Sequence, residues 1–354
     1  MFPEERQRLI LRRLRAEGRV RVTDLAHELG VSAVTIRQDL GALAERGLVR
    51  RTHGGAVAVQ TGFELPFART AGVNAEEKAR LAKAAAEMIE EGWEVVITHG
   101  NGPQVGFLLL RSELASHMLH VIPLDTCGAD TQGAIGYWIQ QALYKEFRRR
   151  GINKKAVTVV TQTIVDRDDP AFQNPTKPIG PFYTKEQADR YRVERGWEIR
   201  EDAGRGWRRV VPSPIPREIV EKDAIKSLIE AGFIVIGVGG GGIPVVRDEE
   251  GNLRGVEGVI DKDYGSSLLA SSIGADLFLI STAVEKVSLN YKKPNQRDLD
   301  LITVEEAKKY LEEGHFPPGS MGPKIEAAIQ FLERGGKEVI ITSPEGIGRA
   351  IRGE

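Results

Sequence analysis

Five short runs rich in β-branched and apolar residues, at 93–98, 156–162, 233–238, 276–281 and 338–342, alternate with helical stretches over most of this sequence. That alternation is the strongest constraint on the fold. Strands separated by helices form a largely parallel sheet covered by helices on both faces. In such sheets ligands bind beyond the carboxyl ends of the strands, so the segments that follow each run are where a site is expected.

The 354 residues exceed what one ordinary domain holds, and two domains are expected. Hydrophobic residues at 41% and charged residues at 28% exclude a disordered chain. Cys127 is the only cysteine, which excludes an intrachain disulfide and a cysteine-based zinc cluster and fits a reducing compartment. Residues 1–15 are studded with Arg and Glu and carry no apolar core of a signal peptide. The longest apolar stretch, 233–246, is broken by five glycines and a proline and is shorter than the ~20 residues a membrane helix needs. A cytoplasmic chain with no membrane partner is the expectation.

Charge is uneven. Residues 1–53 hold eleven arginines, no lysine and seven acids, a net +4, whereas the whole chain carries −1, leaving −5 for the remainder. A basic head on an acidic body suggests a polyanion-binding module joined to something else.

Leu9, Ile10 and Leu14 recur at helical spacing within residues 4–17, and Gly18 stops that helix. Leu25, Ala26 and Leu29 give a second, short helix over 24–29, turned by Gly30. Ser32 is an N-cap for a third helix over 33–45, with Val34, Ile36, Leu40 and Leu43 facing inward. Two short helices joined by a Gly-containing turn form the helix-turn-helix pattern. In the third helix Ala33, Thr35, Arg37 and Gln38 are the side chains that project toward a major groove, where Arg suits guanine and Gln suits adenine. Residues 48–57 read as a strand, a tight turn and a strand, a basic wing whose Arg50, Arg51 and His53 would grip phosphates.

Val31-Ser32, Thr35-Ile36-Arg37, Asp39-Leu40, Leu43, Gly47-Leu48 and Arg51-Thr52-His53-Gly54-Gly55-Ala56 closely resemble the winged helix of DeoR-type bacterial repressors. Phe63-Glu64, Pro66-Phe67, Arg69, Asn74 and Glu77-Lys78 resemble the segment that follows it in that family. The likeness covers about 1–75 and extends to about 95. It implies binding to double-stranded DNA through Ser32, Thr35, Arg37, Gln38, Arg50, Arg51 and His53. Gln38 stands where the family usually has a second arginine, so the family's base preference does not transfer.

In the body, two expected strand ends are Gly-rich: His99-Gly100-Asn101-Gly102-Pro103, and Gly237 with Gly239-Gly240-Gly241-Gly242-Ile243-Pro244. Glycines let backbone N–H groups approach an anion, although such loops are as often mere tight turns. No Walker A sequence is present. Lys177 lies in a loop with three prolines, Lys262 lies between Asp261 and Asp263 at the end of an apolar strand, and Lys324 precedes a helix over 325–332. Any one lysine in such a place is most often a solvated amine. Three on Gly- and Pro-rich segments suit phosphoryl transfer, where fixed positive charge around the moving group carries much of the chemistry.

Residues 99–106, Pro123-Leu124-Asp125, 133–137, 140–143, 161–163, 169–172 with 174–178, 204–214, 239–244, 259–263 and 314–316 with 319–324 resemble carbamate kinase of the amino-acid kinase superfamily. The likeness runs from about 76 to 345. It implies an amino-acid kinase-like α/β/α sandwich behind a small winged helix-turn-helix domain, divided as 1–58, a linker 59–75 and 76–354. It also implies reversible phosphoryl transfer between ATP with Mg2+ and carbamate, yielding carbamoyl phosphate and ADP, as in arginine metabolism. By motif, Lys177, Lys262 and Lys324 would neutralise the transferring phosphoryl and Asp261 would orient them. Gly100, Asn101 and Gly102 would hold carbamate, and Gly240 and Gly241 would offer backbone donors. Ala283, Val284, Val287, Tyr291 and Met321 would wall the adenine. Both resembled families form oligomers, which implies a homodimer; the residues that would hold a metal are left open.

The resemblance departs at one place. Carbamate kinases open with a strand and a Gly-Gly-Asn-Ala loop on the nucleotide phosphates, and the motif is missing here. Gly54-Gly55-Ala56 is a poor substitute, because Arg50, Arg51 and His53 suit a buried parallel strand badly. Two alternatives to an active kinase therefore stand beside it: a transcriptional regulator whose kinase-like body senses a ligand, and a chimeric chain without turnover.

Overall fold

The computed structural model describes residues 3–45, 49–58, 67–202 and 206–353. They divide into two compact units, Met1–Gly72 and Val73–Glu354. Gly47-Leu48, Phe63-Glu64, Pro66 and Gly204-Arg205, quoted above, lie outside the described residues.

The first unit runs α1 (Pro3–Glu17), β1 (Arg19–Arg21), α2 (Val22–Leu29), α3 (Ala33–Glu45), β2 (Val49–Thr52) and β3 (Gly55–Ala58). Gly30 ends α2 in the left-handed conformation, and the Ser32 hydroxyl accepts from the Thr35 N–H at 3.1 Å to cap α3. Ile36, Leu40 and Leu43 of α3 then meet Ile10, Leu14 and Leu25 in one apolar core. Val34 departs from expectation: it is 59% exposed, and Ala33 packs against the core in its place. The stripe 33, 36, 40, 43 follows the helical period and leaves Val34 on the outer face. α2 also starts earlier than residue 24. The wing is a three-stranded antiparallel sheet of order β1-β3-β2, to which the unforeseen β1 adds an edge. Gly55 is obligatory there, since a Cβ would fall 2.1 Å from the Val20 carbonyl oxygen.

The division falls within α4 (Phe67–Glu90), and the second unit continues with β4 (Val96–Ile97), α5 (Gly102–Leu114), α6 (Leu124–Arg150), β5 (Ala156–Thr158) and β6 (Gln162–Val165). β7 (Lys177–Tyr183), α7 (Lys185–Arg195), β8 (Ile199–Glu201), β9 (Trp207–Val211), β10 (Pro216–Ile219) and α8 (Lys222–Glu230) follow. Then come β11 (Ile234–Ile236), β12 (Ile243–Arg247), β13 (Leu253–Gly255), α9 (Lys262–Ile273), β14 (Leu277–Ser281), β15 (Val287–Leu289) and β16 (Arg297–Leu299). The chain closes with α10 (Val304–Glu312), α11 (Met321–Glu333), β17 (Glu338–Thr342) and α12 (Ile347–Ile351).

The parallel core comes in two pieces, β4-β11-β5 and β14-β17. Side-chain alternation along β11 shows both faces covered. Ile234 and Ile236 pack with Ala82, Ala85 and Ala86 of α4 and Leu143 and Phe147 of α6, whereas Val235 packs with Ile225 of α8 and Leu268 and Leu269 of α9. A mixed sheet β10-β6-β12-β13 and an antiparallel sheet β7-β9-β8 complete the frame. Among the described residues no helix is long and apolar enough to cross a membrane.

Several expected elements shift. α4 starts at Phe67, inside the stretch expected to be linker, and the strand expected over 93–98 is only Val96–Ile97. The run over 156–162 is two separate strands, β5 and β6. Lys177 opens β7 rather than sitting in a loop, because Pro178 and Pro181 are tolerated beside an antiparallel partner. Lys262 is the first residue of α9, capped by Asp261, and Lys324 lies in the first turns of α11. The Asp261 side chain caps α9, which puts Lys262 in a helix and not at a strand end.

Candidate active site

Two strand ends meet first. β4 leads into Thr98, His99, Gly100 and Asn101, and β11 leads into Val238 and the glycines 239–242. Val238 adopts φ +51°, which a β-branched residue rarely does, and its N–H is held at 3.0 Å by the Thr161 hydroxyl. Such a conformation costs roughly 1–3 kcal/mol and persists only where surroundings fix it. It lets Gly240, at φ +67°, present its N–H to the His99 carbonyl at 2.7 Å. A Cβ on Gly240 would lie within 2.3 Å of the Asn101 side chain, so the two loops touch through that missing atom. Asn101 is buried and donates to the Thr131 hydroxyl at 2.9 Å. Burial holds the His99 ring below its ordinary pKa, opposed by a hydrogen bond with the Gly100 carbonyl, so the ring is neutral at pH 7.

The lysines converge on the two acids that flank Lys262. Lys177 Nζ donates to Asp261 Oδ2 at 2.6 Å, and the other oxygen of Asp261 accepts from the Asp263 N–H at 2.9 Å as the cap of α9. Lys262 Nζ lies 3.1 Å from Asp263 Oδ2, and Lys324 Nζ reaches the same oxygen at 2.9 Å. The stem of Lys262 also runs over Gly100, where a Cβ would meet its Cδ at 2.9 Å. Strand ends and lysines therefore form one continuous constellation.

The electrostatics differ among these groups. Burial works to raise the Asp261 carboxyl, but Lys177 and Lys262 outweigh it and its pKa falls. Burial likewise opposes the charge on Lys262, yet Asp263 and Asp261 carry it upward. Lys324 moves down, because burial and the neighbouring Lys262 outweigh Asp263. An amine cluster of this kind, at the first turns of α9 and α11 where backbone N–H groups point outward, is suited to a multiply charged anion.

The remaining expected residues divide. Gly102 starts α5 beside Asn101, and Gly241 packs against α9, where a Cβ on Gly265 would sit 2.6 Å from its Cα. Val284 and Tyr291 line a second cavity of about 500 Å³ with Lys286, Ser288 and Asp298. Val287 and Met321 pack in the apolar cluster of α10 and α11, and Ala283 is exposed outside that lining. In the first unit Ser32, Arg37, Gln38, Arg51 and His53 are exposed, Thr35 is half-buried, and Arg50 lies in β2.

Three residues escaped the sequence reading. Asp263 joins two of the lysines; its signal was the acid on each side of Lys262, of which only Asp261 was given a role. Gln132 of α6 is buried and clips the loops together, donating to the Gly239 carbonyl at 2.9 Å and accepting from the Thr161 N–H at 2.7 Å. Thr163 donates to the Gly241 carbonyl at 3.1 Å. Nothing in the local sequence marks Gln132, and Thr163 was noticed only as part of the 161–163 run, with no role of its own.

The family model for the amino acid kinase family matches residues 70–343. The chain belongs to the amino acid kinase family. A DeoR-like helix-turn-helix domain matches residues 6–61 ahead of it. Within the kinase family, the carbamate kinase of Pyrococcus furiosus is 54% identical over 277 residues, covering 78% of this chain and 88% of the relative. The carbamate kinase-like protein YahI of Escherichia coli is 52% identical over 305 residues, covering 84% and 96%. The structure of carbamate kinase from Giardia lamblia bound to AMP-PNP superimposes with a TM-score of 0.73 at 45% identity, covering 79% of this chain and 88% of that one. The α/β sandwich of this kinase family thus carries a DeoR-like module at its N-terminal end.

Proposed function

We propose that the second unit transfers a phosphoryl group reversibly between ATP and carbamate, giving ADP and carbamoyl phosphate. The convergence of Lys177, Lys262 and Lys324 on Asp261 and Asp263 carries this reading. A carbamate oxygen attacks the γ-phosphorus, the bond from that phosphorus to the β–γ bridging oxygen breaks, and ADP leaves with the electron pair. No proton and no covalent enzyme intermediate is needed. Charge spreads over the transferring oxygens and the leaving group, and the three ammonium groups stabilise it. Asp261 and Asp263 act as positioning residues that hold the amines in place.

Asn101 with Gly100 and Gly102 would hold carbamate, and the N–H groups of Gly240 and Gly241 would add donors. Val284 and Tyr291 would flank the adenine. Among the described residues no group of three His, Cys, Asp or Glu is arranged for a metal. Magnesium would enter with the nucleotide and help neutralise its phosphates.

Incubating the purified full chain with MgADP and carbamoyl phosphate tests the reading. ATP formation that depends on both is the expected result. No ATP above background ends the enzymatic assignment.

A second activity is supported by a separate observation. Arg37 and Gln38 are exposed on α3, and Arg51 and His53 are exposed on the wing. We propose that this face binds duplex DNA, as a homodimer on a two-fold symmetric site. Selection from random duplexes should yield a preferred sequence bound more tightly than bulk DNA, with affinity falling steeply as salt rises. Equal affinity for selected and random duplexes at physiological salt would count against it.

A further inference from the structure

The two pieces of the parallel core leave a slot between them. β4 pairs only with β11 and β14 only with β17 among the described residues, so each presents one bare backbone edge. Both edges, through Val95, Val96, Ile97, Leu277, Phe278, Leu279 and their flanks, line a single cavity of about 1090 Å³.

The edges run in the same direction. α9 starts at Lys262, beside Gly100 at the carboxyl end of β4, and Ser266 in its second turn donates to the Thr98 hydroxyl at 2.8 Å. α9 then runs away from that end, reverses at Gly274 and feeds β14 back toward it. Side chains close the slot on both faces: Ala82, Ala85 and Leu143 on one, Leu269, Ala270 and Ile273 on the other. An occupant buried on both faces is a continuous apolar run rather than an alternating one. β14 has five residues, which fixes the occupant's length at about 17 Å.

Charge orients it. Glu91, Glu94 and Asp276 lie where the two strands begin, Glu91 paired with Arg352 and Asp276 with Lys337, and Lys262, paired with Asp263, lies where they end. We propose that this slot binds an extended apolar segment of a separate polypeptide by β-strand addition, parallel to β4 and β14, with basic residues preceding the segment at the acidic end. Main-chain hydrogen bonds to two edges at once give affinity, and the apolar walls give selectivity. Two bare edges in one parallel layer are otherwise a pairing hazard that folded chains cover. The inference concerns a binding site and stands whether or not the chain turns over carbamoyl phosphate.

The test uses the full chain and a fluorescein-labelled peptide, Lys-Lys-Val-Val-Ile-Val-Ile-Gly-Ser, followed by fluorescence anisotropy. Saturable binding at roughly micromolar concentration is expected, and a peptide N-methylated at every second residue, which blocks the N–H groups of one edge, should bind at least ~10-fold more weakly. In the chain, Ala270→Trp projects into the slot and should abolish binding while the circular dichroism spectrum is kept. No saturable binding, whether because the slot is already filled by the chain itself or because it does not take strands, overturns the proposal. Equal binding of the N-methylated peptide, or full binding by a folded Ala270→Trp variant, overturns it equally.

Discussion

Lys324 Nζ and Asp263 Oδ2 lie 2.9 Å apart, and both side chains are nearly buried, at 11% and 8% exposure. Lys262 reaches the same oxygen, so a single carboxylate restrains two ammonium groups that would otherwise repel. Replacing Asp263 by Asn leaves a similar shape without charge. Loss of one partner of a buried pair costs about 3–5 kcal/mol, and misdirected stabilising donors cost about 10²–10³ in rate. Asp263→Asn should therefore lower the melting temperature and reduce kcat for ATP formation by about that factor. Unchanged kcat in a folded variant removes Asp263 from the site.

The opposite shifts of the two lysines predict the alkaline limit of the activity. Burial, with Lys262 beside it, lowers Lys324 below its ordinary 10.5, whereas Asp263 and Asp261 overcome burial at Lys262 and raise it above 10.5. As pH rises, Lys324 loses its proton first. Activity that needs its charge is full at neutral pH and falls as pH rises through a pKa below 10.5. Lys324→Arg keeps its charge well past that range, so the alkaline limb of kcat/KM should move upward even where the neutral rate drops. A limb that stays in place in this variant assigns the titration to another group.

The sequence carried the architecture better than the placement of its parts. Apolar runs at 233–238, 276–281 and 338–342 announced parallel strands, and the strand at 234–236 is buried on both faces. The three lysines were visible because each stands among glycines, prolines or acids. Their supports were not: Lys262 was read at the end of a strand, yet it opens α9. Asp261 as a cap determines that outcome, and a cap is legible only once the helix is known. Gln132 and Thr163 act across long chain separations, which no local spacing encodes. The bare edges of β4 and β14 were foreshadowed by the missing opening strand. The polarity of their slot emerged only from the way α9 returns into β14.

Gly240 offers a test of the contact between the two strand-end loops. Its φ of +67° disfavours any side chain, and a Cβ would strike Asn101 within 2.3 Å. Gly240→Ala should cost about 1–3 kcal/mol in backbone strain. Displacing Asn101 by such a collision should reduce kcat/KM for carbamoyl phosphate by about 10²-fold, as misplacement of positioning groups does. If stability falls and kcat/KM is untouched, Asn101 does not hold the substrate.

The DNA-binding reading depends on how α3 is anchored. Arg6 of α1 donates from Nε to Asp39 Oδ2 at 2.8 Å and from Nη2 to Oδ1 at 3.3 Å, and both residues are buried. Asp39 directly follows the exposed Arg37 and Gln38, so the fork fixes the rotation of the face proposed to enter the groove. Asp39→Ala leaves a buried guanidinium without its carboxylate, at about 3–5 kcal/mol. The unit of residues 1–72 has a total stability of only about 4–11 kcal/mol at the usual 0.05–0.15 kcal/mol per residue. The variant should therefore lose specific DNA binding through unfolding of this unit, seen as a lowered first transition in calorimetry. Replacing both residues with Arg6→Met and Asp39→Leu removes the two buried charges together and should restore much of that stability, since a well-packed apolar pair replaces a buried ion pair at little cost. A double variant no more stable than Asp39→Ala would show that the pair supplies geometry which apolar packing cannot.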